Sequence, residues 1–152
     1  MFVYTAGYEG RSFDEFLAAL HGESIAVLAD VREAPISRKA GFSKSALARS
    51  LSDAGVEYVH LRALGCPKPI RDAHKVDGDW ARYTRDFLGH LALQQAALAE
   101  LAAVVADRRT ALMCYEADFN RCHRTYVARA VAQRTGASVR HVTAAGVVEE
   151  DA

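Results

Sequence analysis

Short β-rich runs alternate with helical segments along the whole chain, and that alternation leaves few folds open. Phe2 to Thr5 is β-rich and runs into Gly7, which predicts a first strand. Ser12-Phe13-Asp14-Glu15 has the form of a capping box, so a helix is expected from there to about Leu20. Ile25 to Val31 reads as a buried strand. Ser43 is placed to cap a second helix through about Ala54, with Gly55 as its stop. Val56 to Leu61 reads as a third strand. Pro67, Pro69 and Gly78 interrupt the next stretch, which predicts a long loop over Arg62 to Asp79. A long helix is expected from Asp79 to Asp107, with Leu88, Leu91, Leu98, Leu101 and Val105 as its buried stripe. Thr110 to Tyr115 predicts a fourth strand, Arg121 to Thr135 a helix stopped by Gly136, and Ser138 to Val142 a fifth strand. The order implies an α/β fold. It would be a single three-layer domain over residues 1–152, with about five mostly parallel strands and helices on both faces, joined by right-handed crossovers.

Composition narrows the partners. The 152 residues carry 19 basic and 19 acidic side chains, so no global field draws the chain to nucleic acid or anionic lipid. A local basic cleft remains open to it. No apolar run approaches the roughly 18 to 20 residues of a membrane span. Leu91 to Ala106 comes nearest and is broken by Gln94, Gln95 and Glu100. The chain opens directly into Phe2-Val3-Tyr4, without the basic segment that begins a signal peptide. Three cysteines, Cys66, Cys114 and Cys122, make a poor disulfide framework. Together these features predict a cytoplasmic protein with reduced thiols and no membrane partner.

Ligands of open α/β sheets bind beyond the carboxyl ends of the strands, and the chemically distinctive residues fall in those loops. Tyr8 and Glu9, between Gly7 and Gly10, follow the first strand, with Arg11 next. Asp30 and Arg32 close the second and lead to Pro35, Ser37 and Arg38. Cys114 and Glu116 follow the fourth and lead to Cys122, His123 and Arg124. Parallel strands would bring all of these to one edge. Placed in the first turn of a helix, Cys122 to Arg124 would face an anion with free amides and a guanidinium fork. The same field would favour a Cys122 thiolate. Glu116, with Asp30 or His123, suits acid–base work. Arg11, Arg32, Arg38 and Arg124 suit anion binding. Glu9 and Glu116 could pair as the carboxylates of glycosidic-bond chemistry. Asp30 and Arg32, two apart on a strand, either pair with each other or both face a ligand.

Two familiar thiol chemistries fit poorly. Six residues separate Cys114 from Arg121 and one separates Cys122 from Arg124, and neither spacing is that of the cysteine-phosphatase or rhodanese loop. Cys114, Glu116, Cys122 and His123 are metal-ligand types. Their spacing is not a finger or knuckle, and a strand end with adjacent helical positions converges poorly, so no metal and no other cofactor is expected.

The blocks Thr5-x-Gly7, Asp30-Val31-Arg32-x-x-Pro35-x-Ser37-Arg38, Phe42, Leu64-Gly65, Cys114-x-Glu116 and Cys122-His123-Arg124 together resemble the family called Domain of Unknown Function 488. The resemblance runs from about Tyr4 to His141, and the first loop departs from the family pattern at Glu9. It implies an α/β fold and a polar site built from these blocks, and it supplies no reaction. Three functions follow from the residues. One is an enzyme that binds a phosphate-bearing ligand, a nucleotide or nucleic acid, and hydrolyses it by acid–base chemistry. The second is a non-catalytic module that binds such a ligand. The third is a thiol-dependent enzyme or redox sensor using Cys122 or Cys114.

Overall fold

The computed structural model describes residues 1–150. Six strands form one sheet in the order β3-β2-β4-β1-β5-β6, with β1 Phe2–Gly7, β2 Val27–Asp30, β3 Glu57–His60, β4 Thr110–Cys114, β5 Ser138–Thr143 and β6 Gly146–Glu149. Five strands are parallel and only β6 runs antiparallel, against β5. The helices are α1 Phe13–Gly22, α2 Lys44–Asp53, α3 Lys68–Asp77, α4 Trp80–Ala92, α5 Gln95–Asp107 and α6 Arg124–Thr135.

The path from β1 through β2 to β3 steps toward one edge, and the path through β4 to β5 steps back toward the other. Right-handed crossovers therefore put α1 and α2 on one face and α4 to α6 on the opposite face. Strand parity carries the core with it. Val3, Ala29, Val31, Leu112 and Val139 pack with Phe87, Leu101 and Val127 of the later helices. Tyr4, Ala6, Leu28, Ala111 and Met113 pack with Phe16, Leu20, Leu47 and Leu51 of the earlier ones.

The capping box forms as read: Ser12 Oγ accepts from the Glu15 amide at 3.1 Å, and the Glu15 carboxylate accepts from the Ser12 amide at 3.0 Å. Ser43 differs from the expectation. It makes no side-chain cap bond; its hydroxyl instead accepts from the Ser37 amide at 3.0 Å and donates to the Ser37 carbonyl at 3.1 Å.

Four boundaries depart from the sequence reading. The expected loop over Arg62 to Asp79 contains a 3-10 turn at Arg62–Leu64 and the ten-residue α3. Its prolines sit at the N-cap and in the first turn, where a missing N–H costs nothing, and Gly78 ends it in the left-handed region at φ 63. Residues taken as breakers are a start and a stop. The expected helix over Asp79 to Asp107 is two helices, α4 and α5, bent by 85°. Unbroken it would run about 43 Å, against about 20 Å for a six-residue strand, so the break keeps both halves over the sheet. The stripe shifts accordingly: Phe87 is buried and Leu88 exposed. The last helix begins at Arg124, after a separate 3-10 turn at Phe119–Arg121. A sixth strand, β6, follows β5 through a tight turn that carries no Asn-Gly or Asp-Gly signal. Among the described residues, no single helix is long and apolar enough to cross a membrane.

Two glycines set how closely the loops approach at the carboxyl edge. A Cβ on Gly7 would lie 1.9 Å from the Glu116 carbonyl oxygen, and one on Gly65 would lie 2.2 Å from the Glu33 amide nitrogen. Gly89, inside α4, faces open space. Urea unfolding should therefore separate them: Gly7→Ala is expected to lose about 1–3 kcal/mol or more by overpacking, while Gly89→Ala gains about 0.5–1 kcal/mol. Equal effects would contradict the backbone contact.

Candidate functional site

The connections leaving β1 and β2 pass over one face and those leaving β3 and β4 over the other, so a crevice opens beyond the carboxyl ends. A cleft of about 800 Å³ occupies it. Tyr8, Arg32, Glu33, Ala34 and the residues from Ile36 to Arg38 form one wall. Cys66, Arg71, His74, Lys75, Trp80 and Tyr83, from the chain between β3 and the first turn of α4, form the other. Cys114, Glu116 and His123 lie between them.

Asp30 and Arg32 choose each other. Arg32 Nε and Nη2 donate to the two Asp30 carboxylate oxygens at 2.9 and 2.7 Å, and Nη1 donates to the Phe42 carbonyl and the Tyr8 hydroxyl at 2.8 and 3.1 Å. Tyr58 donates to the same Asp30 carboxylate at 2.6 Å. Both charges are buried. Burial works against the guanidinium charge, but Asp30 outweighs it and raises the Arg32 pKa further. Asp30 does not reach the cleft, and Arg32 reaches it with its donors committed. Tyr8 is buried, stacked on Phe42 at 4.4 Å between ring centres.

The other sequence candidates separate in the same way. Glu9 is exposed, and its carboxylate accepts from the Ala117 amide at 2.9 Å, tying the first loop to the fourth instead of pairing with Glu116 over a ligand. Arg124 is buried, and Nη1 donates to the Glu116 carbonyl at 2.5 Å. Arg11 is buried against the Val142 carbonyl. Arg32 thus spends its donors on internal acceptors, while Arg11 and Arg124 each make one bond to a backbone carbonyl, and Arg11 Nη1 and Arg124 Nε find no partner among the described residues. Arg38 stays exposed on the cleft wall. His141 lies elsewhere, buried between Thr5 Oγ1 at 2.6 Å and the Glu150 carboxylate at 2.7 Å.

Cys114, Cys122 and His123 converge, contrary to the geometric expectation from their spacing. Their ligand atoms lie within 4.8 Å of one another. The cause is local: Cys122 is extended, at φ -138 and ψ 138, between the 3-10 turn and α6, which swings it back beside the end of β4. His123 Nε2 donates to the Val31 carbonyl at 2.6 Å, so Nδ1 faces the sulfurs, 3.7 Å from Cys114 and 4.0 Å from Cys122. Glu116 Oε2 lies 3.5 Å from Cys114 Sγ. Burial, then the neighbouring Cys122 sulfur, pushes the Glu116 carboxyl up to about 7. Burial opposes a Cys122 thiolate, but Cys114 and His123 together hold its pKa well below an ordinary thiol. The hydrogen bond to Cys122, then burial, keeps Cys114 protonated. Cys66 is pushed up to about 11 by burial. Cys122 is buried behind the cleft surface, which argues against its attacking a ligand held there.

The sequence reading missed the far wall. Trp80 stacks on Tyr83 at 4.5 Å, and the Arg121 guanidinium lies 5.6 Å over the Trp80 ring. Trp80 is the chain's one tryptophan, which was the available signal. Arg71 pairs with Glu33 across the cleft at 2.8 Å. Arg38, Lys75 and Arg121 make no ion pair among the described residues.

Fold and cleft together define an open α/β protein with a crevice at its switch point. The chain belongs to the family described as Domain of unknown function DUF488, whose model matches residues 12–131, a span that takes in both the Asp30–Arg32 and Cys114–Arg124 blocks. No curated protein and no solved structure matches it.

Asp30→Ala strands a buried guanidinium among neutral acceptors. Chemical denaturation should show a loss of about 3–5 kcal/mol. A loss under 1 kcal/mol would mean that Arg32 finds solvent and that the clamp is dispensable.

Proposed function

We propose that the cleft binds a phosphate-bearing ligand with an aromatic base, of the nucleotide type, and hydrolyses it with Glu116 as the acid–base group. The observation that carries this reading is the division of the cleft into three chemistries. Arg38, Lys75 and Arg121, which make no ion pair among the described residues, supply cations at the rim. Trp80, backed by Tyr83, supplies a partly exposed aromatic face. Glu116 supplies a proton-transfer group at the floor.

Each part matches a portion of such a ligand. Phosphate oxygens take charge-assisted hydrogen bonds from guanidinium and ammonium groups. A nucleobase stacks on an indole face. In the hydrolytic step Glu116 takes a proton from a water whose oxygen bonds to the ligand's electrophilic atom, and the same proton passes to the departing oxygen or nitrogen. Nothing else is consumed. The buried arginines position the loops and leave ligand contact to the rim.

The sole tryptophan makes the test direct. Titrating a nucleoside monophosphate into the full chain should change Trp80 fluorescence saturably, with affinity falling as salt rises. Lys75→Ala and Arg121→Ala should each weaken binding by about tenfold. Glu116→Gln should abolish release of phosphate or base while leaving affinity unchanged. Saturable binding with no turnover by any nucleotide would reduce the protein to a binding module. A silent Trp80 would remove the ligand reading altogether.

A further inference from the structure

We propose that Cys114, Cys122 and His123 form a binding centre for one zinc-class divalent cation, with the fourth position open toward the cleft beside Glu116. This deepens the ligand reading above by placing a Lewis acid at the floor of the same cleft, but it stands on a separate geometry and a separate measurement.

The distances carry the case. A tetrahedral zinc site, with Zn–S about 2.3 Å and Zn–N about 2.1 Å, separates neighbouring ligand atoms by about 3.5–3.8 Å. The two sulfur-to-Nδ1 distances, 3.7 and 4.0 Å, match those edges to within a few tenths of an ångström. The three ligand atoms come from three backbone settings: a strand end, an extended residue and the residue that caps α6.

Their surroundings fix them in a ligating pose. The Val31 carbonyl takes the Nε2 proton of His123 and leaves the Nδ1 lone pair aimed at the sulfurs, the usual outer-shell arrangement of a metal-bound histidine. Phe87 packs against the imidazole edge at 5.2 Å between ring centres. The Glu116 segment is held by Arg124 and by the close approach to Gly7. The two sulfurs and the imidazole are all buried, and sulfur is a weak donor and a weak acceptor of hydrogen bonds. A cation would give all three a strong partner at once.

The donor set also selects the ion. Thiolate with imidazole favours zinc and its soft relatives over magnesium and calcium. Three protein ligands with one open position is the catalytic form of a zinc site. Cys122 lies behind the cleft surface, while Cys114, His123 and Glu116 face it, so the open position looks toward a bound ligand.

The test is metal content and cobalt(II) substitution on the full chain under reducing conditions. One zinc per chain is expected in protein purified without chelator. Cobalt(II) added to stripped protein should give a thiolate-to-cobalt charge-transfer band in the near ultraviolet and the visible bands of a tetrahedral site. Cys66→Ser should keep the band, and Cys122→Ser should lose it. Should Cys122→Ser fail to fold, the wild-type spectrum decides alone, because a site without cysteine ligands has no such band. Substoichiometric uptake, no charge-transfer band, an unchanged band in Cys122→Ser, or a Cys114–Cys122 disulfide whose reduction restores no metal binding would each overturn the inference. Full metal uptake with no Trp80 response to the nucleotide upholds it and removes only the ligand reading. A Trp80 response without metal uptake does the reverse.

Discussion

The Arg32 guanidinium joins three separate parts of the chain at the carboxyl edge. It donates to Asp30 at the end of β2, to Tyr8 beyond β1 and to the Phe42 carbonyl ahead of α2. Tyr58 on β3 completes the Asp30 carboxylate. Buried ion pairs often contribute little net stability over an apolar replacement, because desolvation offsets the attraction. What this one adds is direction: a planar fork with fixed donors admits few arrangements of its acceptors. The near wall of the cleft takes its shape from that constraint, and Ser43 holding Ser37 extends it toward Arg38.

The strand and helix periods of the sequence were enough to state the architecture, because parity along each parallel strand sorts residues between two faces. Val3 and Tyr4 go to opposite cores for that reason alone. Proline and glycine were legible as punctuation but not as to side. Pro67 and Gly78 bracket a helix, where the reading saw two interruptions of one. Strand parity left Asp30 and Arg32 two outcomes, and burial decided between them.

The candidate site was legible by location and less so by role. The loops at the carboxyl edge do converge, as parallel strands require. Which arginine faces a ligand depends on depth, and depth is set by packing that sequence spacing does not report. Arg124 was expected at a helix start facing outward; α6 begins with it turned inward under the Glu116 carbonyl. Cys122 was expected on that helix and sits before it, in extended backbone, which is why three metal-ligand types meet across a spacing that seemed to forbid it.

The far wall is built differently from the near one. No residue of α3 is buried, its ends are set by Pro67 and Gly78, and its tie across the cleft is the partly exposed Arg71–Glu33 pair. Such a pair is worth at most about 1 kcal/mol and weakens with salt. Regions with few buried contacts open by local fluctuation at a fraction of the global unfolding energy. The segment that carries His74 and Lys75 can thus exchange its amides with solvent while the sheet stays closed. The edge that holds Cys114 and His123, built on the paired strands and buried, should keep its amides protected meanwhile.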